Sequence, residues 1–158
     1  MAHADQGRIA ARLAELGVTL PEPAAPIANY VPAVIAGKLL FVSGQVPMRE
    51  GKIAYTGKLG ASVRVEIGQQ AAQLCFINVL AQARTVLGSL DRVARVVRLG
   101  GFIAAVPEFT QHAQVMNGAS DMAVAVFDEI GRHARSTIGV PSLPGDAAVE
   151  VEAIFEIA

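Results

Sequence analysis

VEVEAIFEI, residues 149–157, has the alternating pattern of a β-strand that buries one face and keeps the other more polar. Its odd-numbered residues are all apolar, and its even-numbered residues are three glutamates and Ile154. The pattern predicts a strand that packs against a core through residues such as Val149 and Phe155. Like charges on the opposite face are typical of solvated surface, and a functional role would require one glutamate to face a pocket.

Three shorter patterns near the start of the chain also predict strands. Residues 31–36 and 39–43 flank a Gly37–Lys38 turn, and together they predict a β-hairpin. Residues 52–56 predict a further short strand after several glycine and proline breaks.

The middle of the chain alternates long helical patterns with strand patterns. Residues 63–87 and 109–130 predict helices, because apolar residues recur along one face of each. Residues 95–99 predict a strand that is interrupted at Gly100–Gly101, where paired glycines indicate a bulge or a close backbone approach. Residues 135–140 predict the next strand. Two helices on one face of a mixed sheet give a two-layer α+β domain.

The N-terminal segment is expected to be separate from this domain. Residues 9–16 have the spacing of a short amphipathic helix, Gly17 ends it, and three prolines between residues 21 and 26 predict an extended connector. The organisation expected is therefore a helix and connector over residues 1–24, followed by a single domain over residues 25–158. The helix could dock on its own domain or on a neighbouring subunit.

Composition limits the classes of partner. Charged residues are 17% of the 158 residues, against about 25% in a typical soluble domain. This favours self-association, although an alanine-rich monomer would also fit. The net charge of −1, the 5% aromatic content and the absence of Trp disfavour nucleic acid as a partner. No long apolar stretch or signal peptide is evident, so a cytoplasmic protein without a membrane partner is expected.

Familiar metal and cofactor motifs are missing from the sequence. The histidines His3, His112 and His133 have no zinc-ligand spacing, and Cys75 is the only cysteine. The chain has no glycine-rich phosphate-binding loop and no nucleophile-elbow motif. We therefore expect neither a metal nor a cofactor, with His112 an exposed helix residue and His133 a favourable charge near a helix end.

The C-terminal block carries a family resemblance. ARSTIGVPSLPGDAAVEVEAI, residues 134–154, resembles the signature of the RidA/YjgF family, and Tyr30 with SGQVP, residues 43–47, resembles that family's entry strand and turn. The resemblance runs from about residue 25 to the C-terminus. It implies a chorismate-mutase-like α+β fold and a homotrimer whose sheets surround a central core, with clefts between subunits.

The resemblance also implies site residues. Arg135 matches the arginine that binds a substrate carboxylate, and by itself it would be expected only to pair with a strand glutamate on the surface. Four further matches are implied. Tyr30, Gly44 and Asn117 match substrate-binding positions, and Glu150 matches the residue proposed to position a water molecule. Thr137 occupies the position of a common family cysteine, where its hydroxyl can still donate a hydrogen bond in catalysis.

The activity implied is hydrolytic deamination of reactive 2-imino or enamine acids to 2-keto acids and ammonia, without a cofactor. The alternative is a non-catalytic or regulatory trimer that binds a small carboxylate in the same cleft. An endoribonuclease, a label often attached to the family, is disfavoured by the charge and the low aromatic content, unless Arg92, Arg95 and Arg98 form a basic stripe across the trimer.

Overall fold

A computed structural model describes residues 7–23, 26 and 28–158. The helices are α1 (Arg8–Glu15), α2 (Val65–Leu87) and α3 (His112–Phe127). The strands are β1 (Ala33–Ala36), β2 (Leu39–Gln45), β3 (Met48–Arg49), β4 (Lys52–Ile53), β5 (Val93–Ala104), β6 (Ala134–Val140) and β7 (Val149–Ile157). Short 3-10 helices occur at Leu90–Arg92, Asp128–Gly131 and Pro144–Asp146. The two-layer α+β class is confirmed.

The main sheet has five strands in the order β1-β2-β7-β5-β6, so β7 lies at its centre. β7 is antiparallel to both neighbours, and β6 at the edge is parallel to β5. The predicted hairpin is confirmed, because β1 pairs with β2 across the turn at Gly37, whose φ is +61°. The short strand predicted over residues 52–56 is limited to Lys52–Ile53, and it pairs with β3 in a separate two-stranded sheet.

The alternating pattern of β7 divides the sheet into two unlike faces. Its odd-numbered residues are all buried beneath α2 and α3, and its even-numbered residues are only partly buried. We call this second side the open face. It carries apolar side chains that the single chain leaves exposed, among them Val34, Phe41 and Ile138. Within the described ranges, no helix is long and apolar enough to cross a bilayer.

The predicted interruption of a strand at Gly100–Gly101 is wrong, since β5 runs without a break from Val93 to Ala104. The irregularities in its pairing with β7 lie earlier, before Arg98. A close approach does explain both glycines. A Cβ atom at Gly101 would lie 2.5 Å from the sulfur of Met116, and one at Gly100 would lie 2.7 Å from a carboxylate oxygen of Glu152.

Gly118 has a similar role inside α3. The helix is continuous through this position and begins at His112, three residues later than predicted. A Cβ atom at Gly118 would lie 2.0 Å from the carbonyl oxygen of Gln69, so the glycine lets α3 lie directly against the backbone of α2. This contact fixes the position of the α3 face on which Asn117 is presented.

Helix α1 docks on the body of its own chain. Ile9 and Leu13 are buried in the common core. The backbone N–H groups of Arg8 and Ile9 each donate to a carboxylate oxygen of Asp91 at 2.8 Å. Asp91 therefore caps a helix that precedes it by more than 80 residues, and these backbone hydrogen bonds lower the pKa of its carboxyl group.

Replacing Asp91 with Ala should weaken the docking of α1. The expected cost is about 1 kcal/mol of unfolding free energy at neutral pH, as for other lost N-caps. Because the pKa of Asp91 is lowered in the folded state, its contribution is present above the ordinary carboxyl pKa and declines as the pH falls below it. Denaturant titrations at fixed protein concentration, at neutral and acidic pH, measure this difference.

Asp91→Asn is the matched control, because Asn also caps helices but does not titrate in this range. It should retain most of the stability, without the pH dependence assigned to Asp91. An Asp91→Ala deficit of equal size at every pH would contradict the role of the ionised carboxylate.

Candidate functional site

Arg135 lies at the second position of β6, on the face of the edge strand that points toward α3. Its Nη1 group donates to Asn117 Oδ1 at 2.9 Å and to Ser120 Oγ at 3.0 Å. Its Nη2 group donates to the carbonyl oxygen of Ala113 at 3.3 Å. The guanidinium is therefore held by one face of α3, and the structure shows no ion pair between Arg135 and a glutamate of β7 among the described residues.

These contacts leave part of the guanidinium available. A guanidinium has five N–H donors, and three of them are used by Asn117, Ser120 and Ala113. The Nε–H and one N–H of Nη2 have no acceptor among the described residues. Two such donors on one planar group match the two oxygens of a carboxylate.

Thr137 is two residues farther along the same face of β6. Its hydroxyl oxygen is buried, and it has no hydrogen-bond partner among the described residues. A buried hydroxyl without a partner is costly unless a ligand or water satisfies it. Cys75 is in a different environment, because its thiol is fully buried beneath β7 and burial raises its pKa. The thiolate form needed for a nucleophile is therefore disfavoured in this chain.

Glu150 is the first residue of β7 whose side chain lies on the open face, and it is beside Gly44 at the end of β2. A Cβ atom at Gly44 would lie 2.4 Å from Glu150 Oε1, so the absence of a side chain makes room for the carboxylate. Partial burial, and secondarily the charge of Glu152, raise the pKa of Glu150. A carboxyl group with a raised pKa can accept and return protons closer to neutral pH.

Tyr30 lies near Gly44 but on the surface of the isolated chain. Its side chain is 56% exposed. Tyr30 and Gly44 both line a cavity of about 510 Å³ between the N-terminal connector and α2. The side chain of Asn78, buried at the base of this region, donates to the carbonyl oxygens of Val46 and Met48 at 3.1 Å each, which fixes the segment that follows Gly44.

The six residues singled out from the sequence thus form two separate groups. Arg135, Asn117 and Thr137 lie on the helix-covered side of β6. The second group, consisting of Tyr30, Gly44 and Glu150, lies around the ends of β2 and β7. Strand β5 separates β7 from β6, which places these strands about 10 Å apart.

The two groups also differ in the face of the sheet they occupy. Thr137 is in register with Gly101 and Val151, whereas Glu150 is in register with Phe102 and Ile138. Adjacent register positions point to opposite faces of a sheet. A ligand held by Arg135 and Thr137 of one chain therefore cannot also contact Glu150 of that chain.

Sequence reasoning missed Ser120 and the role of His133. Ser120 accepts from Arg135, and its hydroxyl lies 2.9 Å from His133 Nε2. The Nδ1 of His133, a residue predicted to lie near a helix end, is 2.6 Å from the carbonyl oxygen of Gly131 in the turn before β6. The one available signal was that Ser120 follows Asn117 by three residues, which places both on one face of a helix.

The charged side chains elsewhere on the open face are arranged in opposite pairs. Arg98 lies 3.8 Å from Glu152, and Arg95 is in register with Glu156. In the basic stripe considered from the sequence, Arg95 and Arg98 therefore alternate with glutamates, and Arg92 instead donates to the carbonyl oxygen of Leu87 at the end of α2. Within the described part of the chain, no group of three or more His, Cys, Asp or Glu residues is arranged to hold a metal ion.

The fold, with Arg135 on the edge strand of its sheet, is that of small α+β proteins with a chorismate-mutase-like sheet. The chain belongs to the YjgF/RidA family, because the family model described as "YjgF/chorismate_mutase-like, putative endoribonuclease" matches residues 10–157. The match begins within α1.

Individual relatives cover nearly the whole chain. Protein TCP17 of Trypanosoma cruzi is 50% identical over 152 residues, which is 96% of this chain and 95% of that protein. The 2-iminobutanoate/2-iminopropanoate deaminase of Dermatophagoides farinae is 30% identical over an alignment that spans 89% of this chain and 94% of that protein. The crystal structure of Atu1372 from Agrobacterium tumefaciens, a protein of unknown function, has 52% identity and a TM-score of 0.90, covering 95% of this chain and 92% of that one.

Replacing Glu150 with Gln should stabilise the protein at neutral pH. The folded state raises the pKa of Glu150, so the ionised carboxylate is disfavoured there relative to the unfolded chain. The gain in unfolding free energy over wild type should disappear as the pH falls through the folded-state pKa of Glu150 to the ordinary pKa of glutamate. Unfolding free energies across this pH range, at one protein concentration, provide the measurement.

Glu156→Gln removes a charge from the same face of the same strand and serves as the control. A Glu150→Gln variant that is no more stable than wild type at neutral pH would show that burial does not penalise this carboxylate.

Proposed function

We propose that this protein hydrolyses reactive 2-imino or enamine acids to 2-keto acids and ammonia, in clefts between the subunits of a homotrimer. The observation that carries the proposal is the set of hydrogen bonds made by Arg135. Its side chain is fixed by three hydrogen bonds to α3, and two of its N–H donors remain for a carboxylate. The relative from Dermatophagoides farinae, named as a deaminase of 2-imino acids, supports the same chemistry.

Each proposed residue has a role in this reaction. Arg135 binds the carboxylate of the substrate, with Asn117 holding the guanidinium in place. Thr137 donates its hydroxyl hydrogen to the bound substrate, and Tyr30 covers the opposite side of the cleft. Gly44 leaves space for the carboxylate of Glu150, so that Glu150 can contact a water molecule.

The reaction needs no group outside this set. An enamine first tautomerises to the imine. Water then adds to the imine carbon while Glu150 takes one of its protons and passes it to the nitrogen, which gives a carbinolamine. Glu150 next takes the proton of the carbinolamine hydroxyl and passes it to the same nitrogen, so that the C–N bond breaks, ammonia leaves and the C=O bond of the 2-keto acid forms. Much of the acceleration would come from holding the imine and water together in a site that lies away from bulk solvent.

The trimer supplies what one chain lacks. Glu150 and Arg135 lie on different faces of the same sheet, and they can meet one ligand only if they come from different copies. The exposed apolar residues Val34, Phe41 and Ile138 on the open face give such copies a surface to bury. A closed ring of three copies would also cover this face in every subunit.

Replacing Arg135 with Ala should weaken productive substrate binding. A dehydratase or an amino-acid oxidase generates the imine in place, and semicarbazide competes with the enzyme for it. Wild type should lower the yield of semicarbazone and speed the release of 2-keto acid. The Arg135→Ala variant should raise KM by about 10- to 100-fold, because charge-assisted hydrogen bonds to the carboxylate are lost.

Arg132→Ala is the matched control, since Arg132 is three residues away and its guanidinium pairs with Glu129 on the surface. It should behave like wild type. If wild type leaves the semicarbazone yield unchanged across several amino acids but binds a 2-keto acid, the protein is a carboxylate-binding trimer and not a deaminase.

A further inference from the structure

A chain of hydrogen bonds leads away from the proposed carboxylate site, into the turn between α3 and β6. Arg135 Nη1 donates to Ser120 Oγ at 3.0 Å, and Ser120 Oγ lies 2.9 Å from His133 Nε2. The other ring nitrogen of His133, Nδ1, lies 2.6 Å from the carbonyl oxygen of Gly131. The guanidinium is thus connected to the backbone of the turn through two side chains.

The chemistry of these groups limits where the hydrogens lie. A carbonyl oxygen can only accept, so His133 Nδ1 carries a hydrogen and donates it to Gly131. Ser120 Oγ accepts a hydrogen bond from the guanidinium, which leaves its own hydrogen and a second lone pair for the contact with His133 Nε2. Both ring nitrogens of His133 are thus engaged, and the ring is held between the turn and Ser120.

Arg135 depends on this arrangement because both hydrogens of its Nη1 group are committed. One goes to Asn117 and the other to Ser120. With Nη1 fixed at both hydrogens, rotation of the guanidinium plane is restricted, and the Nε and Nη2 donors keep one direction. A flexible arginine would lose side-chain entropy each time it bound a carboxylate.

We propose that His133, acting through the hydroxyl group of Ser120, is a positioning residue that holds the guanidinium of Arg135 in its carboxylate-binding orientation. The role of that orientation in catalysis rests on the proposed deaminase function, whereas the orientation itself does not. His133 contacts no substrate in this account. Its ring, held by the hydrogen bond from Nδ1 to the carbonyl oxygen of Gly131, orients Ser120, and Ser120 orients Arg135.

Two substitutions break the chain at different points. Ser120→Ala removes the hydroxyl, and His133→Phe keeps a ring but removes both nitrogens. Each should raise KM for the imino acid about tenfold with a much smaller change in kcat. Ser120→Thr retains the hydroxyl and should restore KM. His112→Phe is the control for replacing a histidine, because His112 lies at the start of α3 and contacts Phe109, not Arg135.

A double-mutant cycle tests whether the effect passes through Arg135. In an Arg135→Lys background, which lacks the planar fork, Ser120→Ala should change KM by less than about twofold. An equal tenfold loss in both backgrounds would show that Ser120 acts elsewhere and would overturn the proposal.

NMR tests the orientation without turnover. Nitrogen-15 spectra of the imidazole should show a hydrogen on His133 Nδ1, and relaxation of the Arg135 Nε–H group should show an ordered side chain. Both Ser120→Ala and His133→Phe should make that group mobile. If wild type hydrolyses no imine but these NMR results hold, the deaminase function fails and the positioning role stands. Unchanged Arg135 relaxation in both variants would overturn the positioning role, whatever the activity.

Discussion

Side chains alternate between the two faces of a β-sheet, and this alternation governs where the polar residues of this chain can lie. In β7, the odd-numbered residues are buried beneath α2 and α3, which fixes the register of the whole strand. A slip of one residue would place the glutamates in the core. Glu150 is therefore confined to the open face, while Arg135 and Thr137, in register with buried residues, are confined to the other face. The division of the proposed site follows from burial.

Much of the fold could be predicted from local patterns, and the failures have physical causes. The alternation in β7 and the spacing of apolar residues in α2 predicted the correct elements, because an element that buries one face has apolar residues at regular, short intervals in the sequence. Gly100–Gly101 was mistaken for a break, since the sequence does not show that Met116 and Glu152 fill the space that the missing side chains leave. The docking of α1 by Asp91 joins residues far apart in sequence, so no local pattern reveals it.

The proposed site was accessible from the sequence only in part. Family resemblance pointed to Arg135, Asn117 and Glu150, and the structure adds how each is held. The sequence could not point to Ser120 and His133, because their hydrogen bond requires the turn at Asp128–Gly131 to bring β6 back beside α3. The pKa of Glu150 depends on its burial and on Glu152, which are properties of the assembled sheet. Hydrogen-bond networks of this kind become visible only when the tertiary structure is known.

Mixing two variants, each of which lacks one proposed site residue, tests most directly whether the site is shared between copies. Arg135→Ala and Glu150→Gln subunits would be unfolded together, refolded as a mixture and assayed for imine hydrolysis. If each cleft takes Arg135 from one chain and Glu150 from its neighbour, random mixed trimers contain some intact clefts, and about a quarter of wild-type activity should return. No recovery, with mixed trimers confirmed by mass spectrometry, would contradict a site shared between copies.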